Sequence, residues 1–214
     1  HRHIAELASD AYEGRAPGTA GEQKTVDYLV QEFSALGLEP GNKGSWYQEV
    51  PITSVTSSSD ASMSLRGSEF SADFAYGSQM MVSTQRQVEA VSVSGSQLVF
   101  VGYGINAPER GWNDYAGVDM SGKTAVVLIH DPGFATQDPA LFNGNTMTYY
   151  GRWDYKDAEA ARQGAAVVII VNETAAAAYG WEVVENSWSG AKTTLTAGNA
   201  NADKLAVEAW MQLT

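Results

Sequence analysis

Cysteine does not occur among the 214 residues, so disulfides, thiolate metal sites and cysteine nucleophiles are all excluded. Histidine is scarce, since only His1, His3 and His130 could supply imidazole to a metal or to a proton transfer. Positive charge is also limited: 13 basic residues face 25 acidic ones, and the net charge of −12 repels polyphosphate backbones and anionic membrane surfaces. Apolar runs such as 125–129 and 165–171 are too short to cross a bilayer. We therefore expect no nucleic-acid partner and no membrane insertion.

Residues 117–124 read G-x-x-x-x-G-K-T, which matches the phosphate-binding P-loop motif. A working P-loop needs a strand before these residues and a helix after them, so that backbone amides and a helix N-terminus point at phosphate. Here the motif leads directly into the apolar, β-branched run 125–129, and Asp119 places a negative charge inside the cradle. The pattern therefore predicts a turn at Gly122 followed by a buried strand, and not a nucleotide site.

Two helices are expected near the amino terminus. Residues 3–9 read as a short amphipathic segment, and a longer helix opens at Thr19, where Thr19 and Glu22 form a capping box. Apolar residues then recur at helical spacing over the range 26–36, and Gly37 is placed to end the helix. Such a helix has one apolar stripe, which has to be buried against another surface.

The remainder of the chain reads as mixed α/β. Short β-like runs separated by Ser- and Gly-rich turns indicate a meandering sheet or barrel. These runs are 46–52, 61–67, 88–95 and 97–104. Next, the apolar runs 123–130 and 165–171 flank a predicted helix over 154–163, and because strands covered on both faces are nearly all apolar, this predicts a parallel βαβ unit. A helical turn is expected at 174–180, and 204–213 is either a strand or the start of a helix.

No complete catalytic constellation can be assembled from the sequence. There is no H-E-x-x-H, no His-x-Asp and no G-x-S-x-G elbow, and the loop carboxylates lack the spacing of a calcium loop. His130 ends an apolar strand, which favours a core or rim histidine over a ligand or base. We therefore assign no catalytic residue and no metal ligand to this chain, and expect no cofactor in it.

Aromatic residues beside Gly, Asn and Arg in predicted loops are the remaining functional signal. They make either a recognition surface or lids over the ends of a small barrel. The candidate residues for contact with a substrate or another domain are Trp112, Tyr115, Tyr149, Tyr150, Arg152 and Trp153.

Three long blocks of the sequence resemble a known enzyme family. The block LASDAYEGRAPGTAGEQKTVDYLVQEFSALGLEPGNKGSWYQEVPI (7–52) is similar to the opening of mature di-zinc aminopeptidases, a family that includes bacterial leucyl aminopeptidases and glutamate carboxypeptidase relatives. The blocks LVFVGYGINAPERGWNDYAGVDMSGKTAVVLIHDPG (98–133) and MTYYGRWDYKDAEAARQGAAVVIIVNET (147–174) resemble the protease-associated (PA) domain inserted in many of those enzymes.

The resemblance implies two parts: a helical start of the peptidase domain over 1–45, and a PA domain of the swivelling β/β/α type, with a barrel-like sheet, over 46–214. It also implies a secreted or periplasmic parent enzyme that uses zinc. In such enzymes the zinc ligands and the catalytic glutamate follow the PA insertion, and no motif here matches them. The chain would then be a noncatalytic portion of the enzyme.

Three functional hypotheses follow. The first is a lid or substrate-selecting module of a zinc aminopeptidase, which contacts the peptide substrate or the catalytic domain of the same parent chain. The second is a freestanding module that binds peptide or carbohydrate through its aromatic loops, and the third is a metal-free hydrolase that uses His130. The stripe over 26–36 discriminates between the first two, because a part of a larger protein leaves it uncovered and a freestanding module buries it.

Overall fold

The computed structural model describes residues 1–213, which divide into two compact units, His1–Ile52 and the chain from Thr53 onward. This boundary lies seven residues beyond the one at 45/46 that the resemblance implies. In the described residues the helices are α1 (Arg2–Leu7), α2 (Ala20–Ala35), α3 (Pro132–Thr136), α4 (Trp153–Arg162), α5 (Thr174–Ala177) and α6 (Trp181–Trp188). Short 3-10 turns lie at Asp10–Tyr12, Pro108–Arg110 and Tyr149–Gly151.

The strands are distributed over several sheets. They are β1 (Ile52–Thr56), β2 (Met63–Arg66), β3 (Ser71–Phe74), β4 (Met80–Ser83), β5 (Leu98–Phe100), β6 (Asn106–Ala107), β7 (Trp112–Asn113), β8 (Thr124–Leu128), β9 (Val167–Asn172), β10 (Ala191–Leu195) and β11 (Val207–Gln212). Within residues 1–213, the central sheet has five strands in the order β4-β11-β9-β8-β5, and three two-stranded ladders pair β1 with β10, β2 with β3, and β6 with β7. The mixed α/β class predicted from the sequence is confirmed.

The βαβ unit predicted from the apolar runs is present. Strands β8 and β9 are parallel neighbours, with Ala125 opposite Val168 and Val127 opposite Ile170, and α4 connects them. The residues spelled like a P-loop form a turn, and β8 begins at Thr124 with no helix after the motif. The turn-and-strand interpretation is therefore confirmed.

Both faces of the central sheet are covered. On one face, alternate residues of β8, β9 and β11 pack with α4 and α6 in the main core, which includes Val127, Ile170 and Trp210. On the opposite face, Val167, Ile169 and Ala209 form a second core, against which Met63 and Leu65 of the β2–β3 hairpin pack. Burial on both sides explains why the central strands are nearly all apolar.

Several short strands were predicted in the wrong places. Residues 46–51 and 88–95 contain no strand, whereas β3 and β4 form where no run was predicted. Pro51 cannot donate a ladder hydrogen bond, and 88–95 is a largely exposed segment with no neighbouring strand to pair with. β4 becomes a strand because it pairs antiparallel with β11, a partner more than 120 residues away in sequence.

The first unit is almost without a core of its own. Thr19 caps α2 by accepting a hydrogen bond from the Glu22 amide, as predicted, and the Glu22 carboxylate accepts from the Gly18 amide and not from Thr19. Tyr12 is buried between α1 and α2, with its hydroxyl on Glu6 and its ring edge-to-face with Tyr28. Farther along α2, Val26, Leu29 and Val30 are half-buried, and Phe33 near the end of the helix is exposed.

Candidate functional site

The loop that carries most of the predicted site residues, Tyr149–Trp153, runs directly into α4. Its start is fixed by Asp131, whose Oδ2 accepts hydrogen bonds from both the backbone amide and the hydroxyl of Thr148, each 2.9 Å long. Gly151 lies so close to this point that a Cβ there would be 2.7 Å from Met147 and 3.0 Å from the His130 carbonyl carbon. The loop is therefore held against the carboxyl end of β8, and a larger residue at 151 would displace it.

Lys156 fastens the same loop from inside. The side chain is fully buried, and its Nζ donates to the carbonyls of Tyr103 and His130 at 2.6 and 2.7 Å and more weakly to that of Tyr150 at 3.4 Å. Burial lowers the pKa of Lys156 to about 7, although Asp131 opposes the shift. One ammonium group thus joins three backbone segments that would otherwise present buried, unpaired carbonyls.

The six predicted site residues do not form one surface. Tyr150 and Trp112 pack in an aromatic cluster with Phe142, with ring centroids 5.8 and 5.6 Å from Phe142 and edge-to-face geometry. The Tyr150 hydroxyl donates to Glu109 at 2.6 Å, and this bond together with burial raises the Tyr150 pKa to about 12. Tyr115 lies in the main core, and burial raises its pKa.

Tyr149, Arg152 and Trp153 are the members of the set that face solvent. The Tyr149 side chain is 60% exposed and Trp153 is 39% exposed. Arg152, the N-cap residue of α4, donates from Nε to Asp154 at 3.1 Å. The structure therefore brings three of the predicted residues to the surface at the start of α4 and uses the other three in packing.

Trp153 borders a cleft that sequence reasoning did not identify. The cleft has a volume of about 630 Å³, and we call it the Trp cleft after Trp153, Trp188 and Trp210, which line it. Trp188 of α6 packs edge-to-face against both of the others, with ring centroids 5.8 Å from Trp153 and 6.0 Å from Trp210. Three elements distant in sequence, namely α4, α6 and β11, meet at this point.

Two buried acids accompany the tryptophans. Glu208 lies two residues before Trp210 on the same face of β11 and lines the Trp cleft, where its Oε1 accepts a 2.5 Å hydrogen bond from Gln85. Asp157 lies one helical turn after Trp153 on the same face of α4, and neither of its oxygens has a hydrogen-bond partner within the described part of the chain. Burial raises the pKa of Glu208 to about 7, and burial together with the neighbouring Glu208 raises that of Asp157 well above its ordinary value.

The sequence contains two local signals for this site. Trp153 and Asp157 have the i, i+4 spacing of one helix face, and Glu208 and Trp210 have the i, i+2 spacing of one strand face. In each pair an acid shares a face with a tryptophan, which indicates that the acid lies on an otherwise apolar face of the helix or strand. The second spacing is meaningful only if 204–213 is a strand, and the sequence alone is compatible with a strand or with the start of a helix.

His130 is buried, with 3% of the residue exposed, and stacks on Phe134 at 4.7 Å. Its Nδ1 accepts the backbone N–H of Asp131 at 2.8 Å, so the 3.3 Å approach of that nitrogen to Asp131 Oδ1 is not a hydrogen bond. This geometry does not favour the hydrolase hypothesis, because a base has to reach its substrate.

Zinc does not fit the side chains at hand. Over residues 1–213, no group of three or more His, Cys, Asp or Glu side chains is arranged to hold a metal ion. Zinc in a parent enzyme remains an expectation about sequence beyond these residues.

No helix within residues 1–213 is both long enough and apolar enough to span a bilayer.

Comparison with known proteins gave little. No family model matches the chain, and no curated protein matches it. Among solved structures, an aminopeptidase from Aneurinibacillus sp. strain AM-1 aligns with 99% of this chain at 21% sequence identity and a TM-score of 0.40. The chain spans 40% of the length of that protein. A likeness at this level establishes neither the fold nor the function.

Proposed function

We propose that this chain is a noncatalytic portion of a secreted zinc aminopeptidase, made of the start of the peptidase domain and a PA domain. In this role it acts as a lid or substrate-selecting module, and the surface formed by Tyr149, Arg152 and Trp153 meets the peptide substrate or the catalytic domain. The catalytic step, attack on the first peptide bond by zinc-bound hydroxide, belongs to residues outside this chain.

The uncovered face of α2 is the observation that carries this proposal. Phe33 and Leu36 are 42% and 75% exposed, and Leu38, just after the helix, is 55% exposed. Helices of soluble domains place such a stripe against a core, and contiguous exposed apolar residues mark interaction surfaces. A missing portion of a peptidase domain explains why the stripe is open, and the similarity of residues 7–52 to the opening of zinc aminopeptidases supports the same explanation.

The rigid support of the loop Tyr149–Trp153 is consistent with a recognition role. Asp131 and Lys156 hold the backbone of the loop from inside, while Tyr149 and Trp153 are exposed. Aromatic and arginine side chains held in this way bind partners with little loss of conformational freedom.

The exposed face of α2 is tested with a matched pair of variants. We expect the wild-type chain to self-associate with rising concentration or to bind an apolar dye, and Leu36→Gln to weaken both effects. Ser34→Gln is the control, because residue 34 is an exposed polar position on the same helix. Sedimentation velocity and dye fluorescence provide the measurements. A wild-type chain that stays monomeric and dye-free at high concentration would contradict the proposal.

A second measurement addresses catalysis. With added zinc, the chain is expected to hydrolyse leucine p-nitroanilide no faster than a blank. Robust turnover would reject a noncatalytic role.

A freestanding binding module is the second candidate, and the Trp cleft favours it. It predicts saturable ligand binding by the chain alone, with loss on Trp153→Ala while the fold persists. Carbohydrate is the less suitable ligand, since sugars stack on flat exposed rings, whereas Trp188 and Trp210 are buried and packed edge-to-face.

A further inference from the structure

The largely apolar lining of the Trp cleft includes one acid, Glu208, and a second buried acid, Asp157, lies near Glu208 outside the lining. Asp157 and Glu208 are 4% and 5% exposed, and neither forms a salt bridge with any residue in the range 1–213. Buried carboxyl groups are normally hydrogen-bonded or paired, because an unmet buried acceptor costs about 1–3 kcal/mol. Both carboxyl oxygens of Asp157 can therefore still accept hydrogen bonds.

The structure places Glu208 in the lining of the Trp cleft, with the buried Asp157 near it. Asp157 follows Trp153 on one face of α4, and Glu208 precedes Trp210 on one face of β11, while Trp188 contacts both tryptophans. A group that enters the cleft therefore meets the carboxyl group of Glu208 beside the tryptophan rings. The Trp210 Nε1–H is a donor that also lacks a partner among the described residues.

Other charged side chains lie near the pair on the neighbouring elements. Asp154 and Lys156 lie on α4 beside Asp157, and Lys204 precedes β11 near Glu208. The ammonium of Lys156 is already committed to three carbonyls on the other side of α4. Lys192 of β10 lines the cleft, and its ammonium donates to the Ser187 carbonyl at the end of α6. The ammonium groups of Lys156 and Lys192 thus donate to backbone carbonyl oxygens, whereas Lys204 has no such contact within residues 1–213. The two acids therefore remain available to bind an added cation.

We propose that the Trp cleft binds a primary ammonium group carried on a short apolar stem, with the lining acid Glu208 as its acceptor and Asp157 as a second acid near it. An ammonium has three donors and no acceptor, which suits a pair of acids without a cationic partner, of which Asp157 receives no hydrogen bond at either oxygen among residues 1–213. Aromatic side chains, tryptophan most of all, attract cations, and an apolar lining accepts the alkyl stem. The inference rests on the proposed function only for the source of the ammonium group, which is the amino terminus or a lysine side chain of a peptide.

The test is a fluorescence titration of the whole chain at pH 8, because the tryptophans of the cleft report occupancy. The probes are leucine methylamide for an α-ammonium, Nα-acetyl-lysine methylamide for a side-chain ammonium, and Nα-acetyl-norleucine methylamide as the neutral counterpart. We expect at least one ammonium probe to bind at least about tenfold more tightly than the neutral one. The ammonium probe that binds more tightly identifies whether the ammonium group comes from an amino terminus or from a lysine side chain.

Variants locate the site. Glu208→Gln is expected to weaken the ammonium probe at least about tenfold, and Glu182→Gln, which removes an exposed charge on α6, to leave the affinity unchanged. Affinity should also rise from pH 6 to pH 8, since the acids must lose protons to pair with the cation. Equal affinity for the neutral probe, an unaffected Glu208→Gln variant, no binding of any probe, or preferential binding of a neutral sugar would each overturn the proposal.

Failure of this proposal can be distinguished from failure of the proposed function. The α2 variants report on the first unit, and the probes report on a cleft within the second. Loss of ammonium binding with an intact α2 result removes only the cleft assignment. If the ammonium probes bind but the α2 experiment fails, the cleft assignment stands and the aminopeptidase interpretation is rejected.

Discussion

At the scale of single residues, close approach decides which glycines are indispensable. Gly104 has a φ of +63° and follows β5, where the chain passes over β8. A Cβ at this position would lie 2.6 Å from Val127 Cγ1 and 3.1 Å from the Tyr115 hydroxyl. Gly117 has a similar φ of +75°, but no atom of the described residues lies within 4 Å of its Cβ position.

This pair of glycines gives a prediction with an internal control. Gly117→Ala is expected to cost about 1 kcal/mol, because alanine is disfavoured in the left-handed region. Gly104→Ala should cost about 3 kcal/mol, since a clash with a packed core residue is added to the same backbone term. The free energy of unfolding from urea denaturation provides the comparison. Equal costs for the two substitutions would show that the core yields freely around Val127.

At the scale of secondary-structure elements, β11 is a strand whose alternation was hard to recognise. It occupies the sheet between β9 and β4, and it carries Glu208 into the face that also holds Trp210. A carboxylate at this position opposes burial, which is why its pKa is raised to about 7. Burial in the folded state therefore favours the neutral, protonated form of Glu208 more than water does.

The same shift predicts how stability depends on pH. Because the folded-state pKa of Glu208 lies above the ordinary value of 4.5, the folded state binds more protons between about pH 4.5 and 7, and stability falls as pH rises through this window. The loss amounts to about 3 kcal/mol by pH 8. Glu208→Gln, which cannot ionise, should unfold at higher urea than wild type at pH 8 and at similar urea at pH 4. Glu182→Gln, at an exposed position, is the control. Parallel pH profiles for wild type and Glu208→Gln would contradict the shift.

At the scale of the whole molecule, buried residues are unevenly distributed. Over His1–Ile52 the buried positions are Tyr12 and Gly21, whereas the chain from Thr53 to residue 213 contains the three hydrophobic clusters around the central sheet. Local stability follows the burial of apolar contacts and of backbone hydrogen bonds.

Hydrogen exchange should therefore separate the chain into two stability classes. We expect the amides of α1 and α2 to exchange with much lower opening free energies than those of β8, β9 and β11. Exchange measured by mass spectrometry on the intact chain tests this directly. Protection of α2 equal to that of β9 would mean that the first unit is stabilised as strongly as the central sheet.

The sequence was informative wherever a pattern is local. The capping box at Thr19, the end of α2 before Gly37, and the unit formed by β8, α4 and β9 were all predicted, because each depends on residues close together in the chain. The site was harder to predict: Trp153 was among the candidates, but Trp210, Asp157 and Glu208 were not. Membership of the Trp cleft depends on pairing between strands far apart in sequence, which no local pattern encodes.

By itself, the sequence determined a mixed α/β protein with strong negative charge, no thiol chemistry and a strand in place of a P-loop. Composition and periodicity suffice for these properties. Only the tertiary structure decided that β11 enters the central sheet beside β9, and hence that Glu208 lines a cleft with three tryptophans and lies near Asp157. It also decided that Tyr115 packs in the core while Trp153 reaches solvent, because burial of an aromatic ring is settled by which elements cover it and not by its neighbours in the chain.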